Sequence, residues 1–283
     1  HQVLTCTNSP INLDAGSSTV SGTPEYQWSN GGQSSISTIE HAGTYQVTVT
    51  DAENGCTHES SINITIDKTE PVAKIESKEN HIELNCDRTS LELDASNSSQ
   101  GNNFDYEWTT DDGNIVSGSD TLIAEVDASG TYIFTVTNNQ NDCVATDTVE
   151  ITLDDNVPTA DAGTAEDFSC TTSEIELNGE NSSQGNSINY FWTAIEGNIV
   201  AGDTTLTPTI DSAGIYVIEV LDTLNNCVST DTITVLEDFD LPTADAGANL
   251  EIPCYTDTLE LNGNNSSQGL NFEYEWTTAN GNI

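Results

Sequence analysis

Seven cysteines are the residues best suited to chemistry in this 283-residue chain, and they fall into two periodic series. Cys6, Cys86, Cys170 and Cys254 are spaced by 80, 84 and 84 residues, while Cys56, Cys143 and Cys227 form the second series. Thiols at such spacing either cross-link or hold metal. No Cys-x-x-Cys is present, and His1, His41, His58 and His81 do not recur at equivalent positions, so a zinc site lacks its ligands. Disulfides are the better reading, and they persist outside the reducing cytosol, which places the chain in an extracellular or cell-surface setting. The scattered histidines also leave nucleophilic or acid–base catalysis without a partner set. No Gly-x-Ser-x-Gly, His-Glu-x-x-His or phosphate-cradling loop occurs, and no enzymatic role is expected.

The elements that must position these thiols follow the same period. Trp28, Trp108, Trp192 and Trp276 each lie 22 residues after a cysteine of the first series, and Cys56, Cys143 and Cys227 each lie 11 after Tyr45, Tyr132 and Tyr216. A period of this size marks stacked copies of one small unit. In the third copy, 174–178 alternates apolar and polar residues, as a half-buried strand does. Asn181-Ser-Ser-Gln-Gly185 is turn chemistry. Tyr190 and Trp192 share one face of the next strand. Segments 205–210, 214–220 and 228–236 continue the pattern, and no helical period intervenes. About seven short strands per copy predict an all-β chain, a tandem array of immunoglobulin-like seven-stranded β-sandwiches. The expected repeats are 1–67, lacking its first strand, then 68–154, 155–238 and a truncated 239–283. Each tryptophan belongs in a core, and each tyrosine near the start of strand F forms a tyrosine corner. Trp to Tyr spans 17 residues in the first repeat and 24 in the next two, a difference assigned to a loop.

Two cysteine pairings are open. One lies within repeats: Cys6–Cys56, Cys86–Cys143 and Cys170–Cys227, with the partner of Cys254 elsewhere. The other joins each cysteine of the first series to the second-series cysteine of the next repeat: Cys6–Cys143 and Cys86–Cys227. It leaves Cys56, Cys170 and Cys254 to pair elsewhere or stay free. Topology favours the second. The first cysteine sits before strand B at one end of the sandwich, and the second sits in the F–G turn at the other. A strand of about eight residues spans ~26 Å, whereas a disulfide needs Cα atoms within about 7 Å.

Charge limits the partners. The chain carries 47 acidic and 4 basic residues, a net charge of −43, so no nucleic-acid partner is expected and anionic membrane surfaces are poor partners. Lys68, Lys74, Lys78 and Arg88 all fall near the junction of the first two repeats. No apolar run approaches the ~20 residues of a membrane span, and no membrane insertion is expected. Acidic residues crowd the other junctions, namely Asp154, Asp155 and Asp161, then Glu237, Asp238 and Asp240. Calcium takes six to eight oxygens, many from carboxylates, so structural calcium is the one cofactor to weigh, against the simpler reading of solvated linker charge and no cofactor. Lys74 occupies the repeat position of Asp161 and speaks against a site in every repeat.

The motifs Pro-Thr-Ala-Asp-Ala-Gly (158–163 and 242–247), Leu-Asn-Gly (177–179 and 261–263), Tyr-x-Trp, Ala-Gly-Thr-Tyr-x-Val-Thr-Val (42–49) and Asn-Gly-Cys-Thr (54–57) resemble PKD-like and related repeats. Repeats of that kind build large surface adhesins of gliding or filamentous Bacteroidota. The Trp-Asp-Phe-Gly-Asp-Gly signature of typical PKD domains is absent; Thr-Thr-Asp-Asp-Gly-Asn follows Trp108. The resemblance implies a secreted or cell-surface location, type IX export and a role in adhesion. It also implies O-glycosylation after aspartate, at Thr121, Thr148, Thr204, Ser212, Thr223, Thr232 and Thr258. The expected function is a disulfide-braced stalk or filament segment of an adhesin. Its partners are neighbouring repeats, other copies in a fibre and an adhesive target. The alternative is a set of carbohydrate- or ligand-binding modules attached to a secreted enzyme, which requires aromatic rings exposed to solvent.

Overall fold

The computed structural model describes residues 2–77 and 82–283, so His1, Lys78 and His81 lie outside it. Strands alternate buried apolar with exposed polar residues, the pattern of sheets packed on one face. The first repeat contains β1 (Gln2–Leu4), β2 (Ile11–Asp14), β3 (Pro24–Trp28), β4 (Ile36–Ile39), β5 (Gly43–Asp51) and β6 (Thr57–Ile66). Its sheets run β1-β6-β5-β3 and β2-β4. The second contains β7 (Glu76–Ser77), β8 (Glu83–Asn85), β9 (Leu91–Asp94), β10 (Phe104–Thr110), β11 (Ile115–Ser117), β12 (Ile123–Val126), β13 (Gly130–Asn138) and β14 (Cys143–Asp154). Its sheets run β10-β13-β14-β8 and β11-β12-β9-β7. The third contains β15 (Phe168–Ser169), β16 (Ile175–Glu176), β17 (Ile188–Glu196), β18 (Ile199–Ala201), β19 (Thr209–Ile210), β20 (Gly214–Asp222), β21 (Cys227–Val235) and β22 (Glu237–Asp238). No helix occurs among the described residues.

Each of these three repeats is an immunoglobulin-like sandwich with its own core. In the second, Leu91, Leu93, Ala124 and Val126 from one sheet meet Trp108, Tyr132, Phe134 and Val136 from the other. The first is built on Leu4, Leu13, Trp28, Ile39 and Val47, and the third on Phe168, Leu177, Trp192, Tyr216 and Ile218. In each, the strand leading into the first-series cysteine (β1, β8 or β15, the opening strand of its sheet) runs parallel to the last: Leu4 opposite Ile66, Leu84 opposite Leu153, Phe168 opposite Glu237. That pairing delivers the cysteine two residues later to the end of the sandwich from which the last strand exits.

The chain divides into two compact units. One runs up to Val157 and includes the turn Asp222–Val228; the other comprises Pro158–Leu221 and Ser229–Ile283.

Three expectations need correction. The seven residues missing from the first repeat are more than loop, because they remove a strand. β11 and β18 pair with β12 and β19, and between β3 and β4 no counterpart exists. Segment 205–210 is strand only at Thr209–Ile210, because the Thr205 amide turns back to the Gly202 carbonyl. No strand forms in 239–283, and Trp276 is 42% exposed instead of buried. Local stitching survives there: Ser266 Oγ accepts the Asp245 amide and Tyr274 donates to the Ser267 carbonyl. Counterparts of β12, β13 and β14, which cover Trp108 in the second repeat, do not occur within these residues.

Candidate functional site

The cysteines are positioned by two local structures. The first is the bend after the opening strand. It is closed by hydrogen bonds between Thr5 and Asn8, Asn85 and Arg88, and Ser169 and Thr172, with Cys6, Cys86 and Cys170 inside it. The second is the turn into the last strand, where an asparagine precedes each cysteine by two residues. Asn54, Asn141 and Asn225 each accept the cysteine amide on Oδ1, at 2.8, 3.1 and 3.0 Å. The intervening residue has positive φ, +72° at Gly55 and +55° at Asp142 and Asn226. Glycine and asparagine adopt this conformation most readily.

Of the two pairings left open above, the structure has the one between repeats. Cys6 bonds Cys143 across 137 residues, and Cys86 bonds Cys227 across 141, with Cα separations of 5.1 and 5.0 Å. Cys143 and Cys227 are buried. Cys56, Cys170 and Cys254, expected as disulfide cysteines from their spacing, are free and exposed. Under this pairing rule, their partners would belong to repeats other than the three folded here.

Each bond sits in the same polar setting. Asn141 Nδ2 donates to Asp67 Oδ1 at 2.9 Å and to the Thr69 carbonyl at 3.0 Å. Asn225 Nδ2 donates to Asp154 Oδ1 and to the Asn156 carbonyl, both at 3.0 Å. These amides are 1% and 2% exposed, so their donors and acceptors need partners, and they have them. The Cys6 amide adds a bond to the Asn141 carbonyl at 3.1 Å, and Thr7 Oγ1 donates to Asp142 at 2.8 Å. The asparagine amide beside Asp67 holds that carboxyl below its usual range, helped by the Thr69 amide. Asn225, then Asn156, does the same for Asp154. Sequence reasoning missed these asparagines, although their constant offset of two from Cys56, Cys143 and Cys227 was visible.

The recurrent aromatic residues are structural. Trp28, Trp108 and Trp192 are buried, and their indole N–H groups donate to the Ser34, Thr121 and Thr205 carbonyls. Tyr132 and Tyr216 close tyrosine corners on the Ala128 and Ser212 carbonyls, and Tyr45 on that of His41. Burial pushes the Tyr132 phenol up from its usual range. The first tyrosine of Tyr-x-Trp fixes a turn, since Tyr106 and Tyr190 donate to the Ser99 and Ser183 carbonyls of the Asn-Ser-Ser-Gln-Gly segment.

The acidic and hydroxyl candidates are spread apart. Asp154 is engaged by Asn225 and Asn156. Asp161 accepts the Gly163 amide and Asp238 the Asp240 amide, while Asp155 and Glu237 are exposed. Among the described residues, no group of three or more His, Cys, Asp or Glu side chains is placed to hold a metal ion. Lys74, at the repeat position of Asp161, pairs with Glu76. Thr121, Thr148, Thr204, Thr223, Thr232 and Thr258 are exposed, and Ser212 is half-buried.

No family model matches the chain, and no curated protein sequence matches it. Among solved structures, it is similar to three N-terminal domains of the highly immunogenic outer capsid protein (Hoc) of bacteriophage RB49. That likeness has 16% identity and a TM-score of 0.34, covering 83% of this chain and 95% of that one. Extracellular domains 3–5 of Drosophila OTK match at 11% identity and a TM-score of 0.26, with 83% and 93% covered. Drosophila N-cadherin EC1-4 matches at 8% and 0.30, with 84% and 73% covered. The sandwich assignment rests on the strand order and cores above, independently of these likenesses.

Proposed function

We propose that the chain is a stalk or filament segment of a secreted or cell-surface adhesin, in which disulfides brace successive repeats. One observation carries this: the disulfide between Cys6 and Cys143, 137 residues apart, joins the first repeat to the second. A covalent tie beside a linker removes bending freedom that a single peptide connection would leave. Stacked repeats make length and stiffness available as the function itself, and a net charge of −43 favours extension by self-repulsion. The resemblance to PKD-like repeats of Bacteroidota adhesins supports the surface location. The alternative, ligand-binding modules, needs exposed rings at recurrent positions, yet Trp28, Trp108 and Trp192 are buried. Small-angle X-ray scattering of the chain, oxidised and then reduced, tests the brace. Reduction is expected to broaden the distribution of intramolecular distances. Superimposable profiles would overturn it.

A further inference from the structure

Lys68, Lys74, Lys78 and Arg88 are all the basic side chains of this chain, and a trypsin-type endoprotease needs one of them for the pocket beside the bond it cuts. Such enzymes act most readily on exposed irregular segments. Two of the four bonds are tied down. The Lys74 amide and carbonyl both bond Ser98 Oγ, and the next amide, of Ile75, donates to Asp147 at 2.7 Å. The Arg88 amide donates to Asn85 Oδ1 at 2.7 Å, and its carbonyl accepts the Asn85 amide. Lys78 lies outside the described residues. Lys68, Thr69 and Glu70 are exposed and belong to no strand, and the Lys68 ammonium donates to Ser9 Oγ at 3.0 Å.

The Lys68–Thr69 bond also falls between two cores. The first core ends at Ile64 and the second takes up the chain again at Ala73, so a cut here passes through neither sandwich. Three ties span the bond. Cys6 precedes it and Cys143 follows it, and the two are joined. Asn141 Nδ2 donates to Asp67 Oδ1 on one side and to the Thr69 carbonyl on the other. The Thr69 amide donates to Asp67 at 3.2 Å; hydrolysis turns that nitrogen into an ammonium, and a charge-assisted bond to a carboxylate is the stronger kind. In the second junction Asn225 spans Asp154 and Asn156 in the same way, but Asp155 stands in the place of Lys68.

We infer that Lys68–Thr69 is a processing site for a trypsin-type endoprotease, and that the nicked junction stays joined until Cys6–Cys143 is reduced. Cleavage adds one water across the bond: hydroxyl to the Lys68 carbonyl carbon, hydrogen to the Thr69 nitrogen. Release of the first repeat takes a second step, in which a dithiol supplies two electrons and two protons, splits the Cys6–Cys143 bond into two thiols and is itself oxidised to a disulfide. Opening the array at this point therefore requires protease and reductant together. The inference rests on the braced junction proposed above and adds the one place where such an enzyme can address it.

The test is limited trypsin digestion of the whole oxidised chain, its free thiols alkylated beforehand, read by intact mass. The first product is expected to weigh one water more than the chain without reductant, and to split into 1–68 and 69–283 with dithiothreitol. Its small-angle scattering profile should superimpose on that of the uncut chain until reductant is added. Lys68→Gln should abolish this product and leave both disulfides in place. A first cut after another basic residue, no cut under conditions that digest the unfolded chain, persistence of the product in Lys68→Gln, or a changed profile before reduction would each overturn the inference. Release of 1–68 without reductant, with a Cys6–Cys56 peptide recovered from the uncut chain, would instead overturn the braced junction itself.

Discussion

At the scale of single residues, the junction is held by an asparagine whose polar atoms are all used. Oδ1 of Asn141 takes the Cys143 amide, and Nδ2 bridges Asp67 and the Thr69 carbonyl. Asp67 and Asp154 are therefore stabilised as carboxylates, and their pKa values are depressed, first by the asparagine amide. A depressed folded pKa contributes stability that is present above the unfolded value of about 3.9. That stability is lost as pH falls through the folded value. The side-chain amide resonances of Asn141 and Asn225 should therefore titrate with midpoints below about 3.9. Midpoints at or above that value would show that neither carboxylate depends on its amide. Global melting is a poor readout here, because protonating the other carboxylates relieves repulsion and opposes the local loss.

At the scale of elements, the extra strand of the second repeat changes what the tyrosine corner is worth. The Tyr132 hydroxyl donates to Ala128 and also accepts the Asn114 amide from the residue just before β11. Gly113 makes room, because a Cβ there would lie 2.4 Å from the hydroxyl. Tyr45 has only the His41 carbonyl and is half-exposed. Tyr132→Phe should cost about 1–3 kcal/mol, since it removes a hydroxyl bonded to part-buried main-chain groups of both Ala128 and Asn114. Tyr45→Phe should cost roughly 0.5 kcal/mol, because water can replace its bond. Denaturant melts of the two variants check this, and equal costs would mean that the second bond contributes nothing. Alternation made the longer strands legible in advance, as in β20 and β21. β11 and β18 were missed, since three residues such as Ile199-Val200-Ala201 carry too little period to read.

At the scale of the whole molecule, charge and cross-links act on the same linkers. Asp154 and Asp161 already accept hydrogen bonds from protein N–H groups, and 47 acidic residues against 4 basic ones respond to any added cation through screening. Screening alone predicts that calcium and sodium chloride at matched ionic strength raise the melting temperature equally. A rise specific to calcium and reversed by a chelator would mark a bound ion.

Composition and period by themselves determined the architecture: strands of alternating residues, a tryptophan and a tyrosine per core, and cysteines in register. These follow from local chemistry repeated along the chain, because a strand's buried face is written in its own residues. Which thiols meet was decided only by the tertiary structure. The parallel pairing of each opening strand with the last strand carries its cysteine to one end of the sandwich, and the Asn-x-Cys turn of the following repeat arrives there. Bonds spanning 137 and 141 residues depend on that convergence, and no local pattern encodes it.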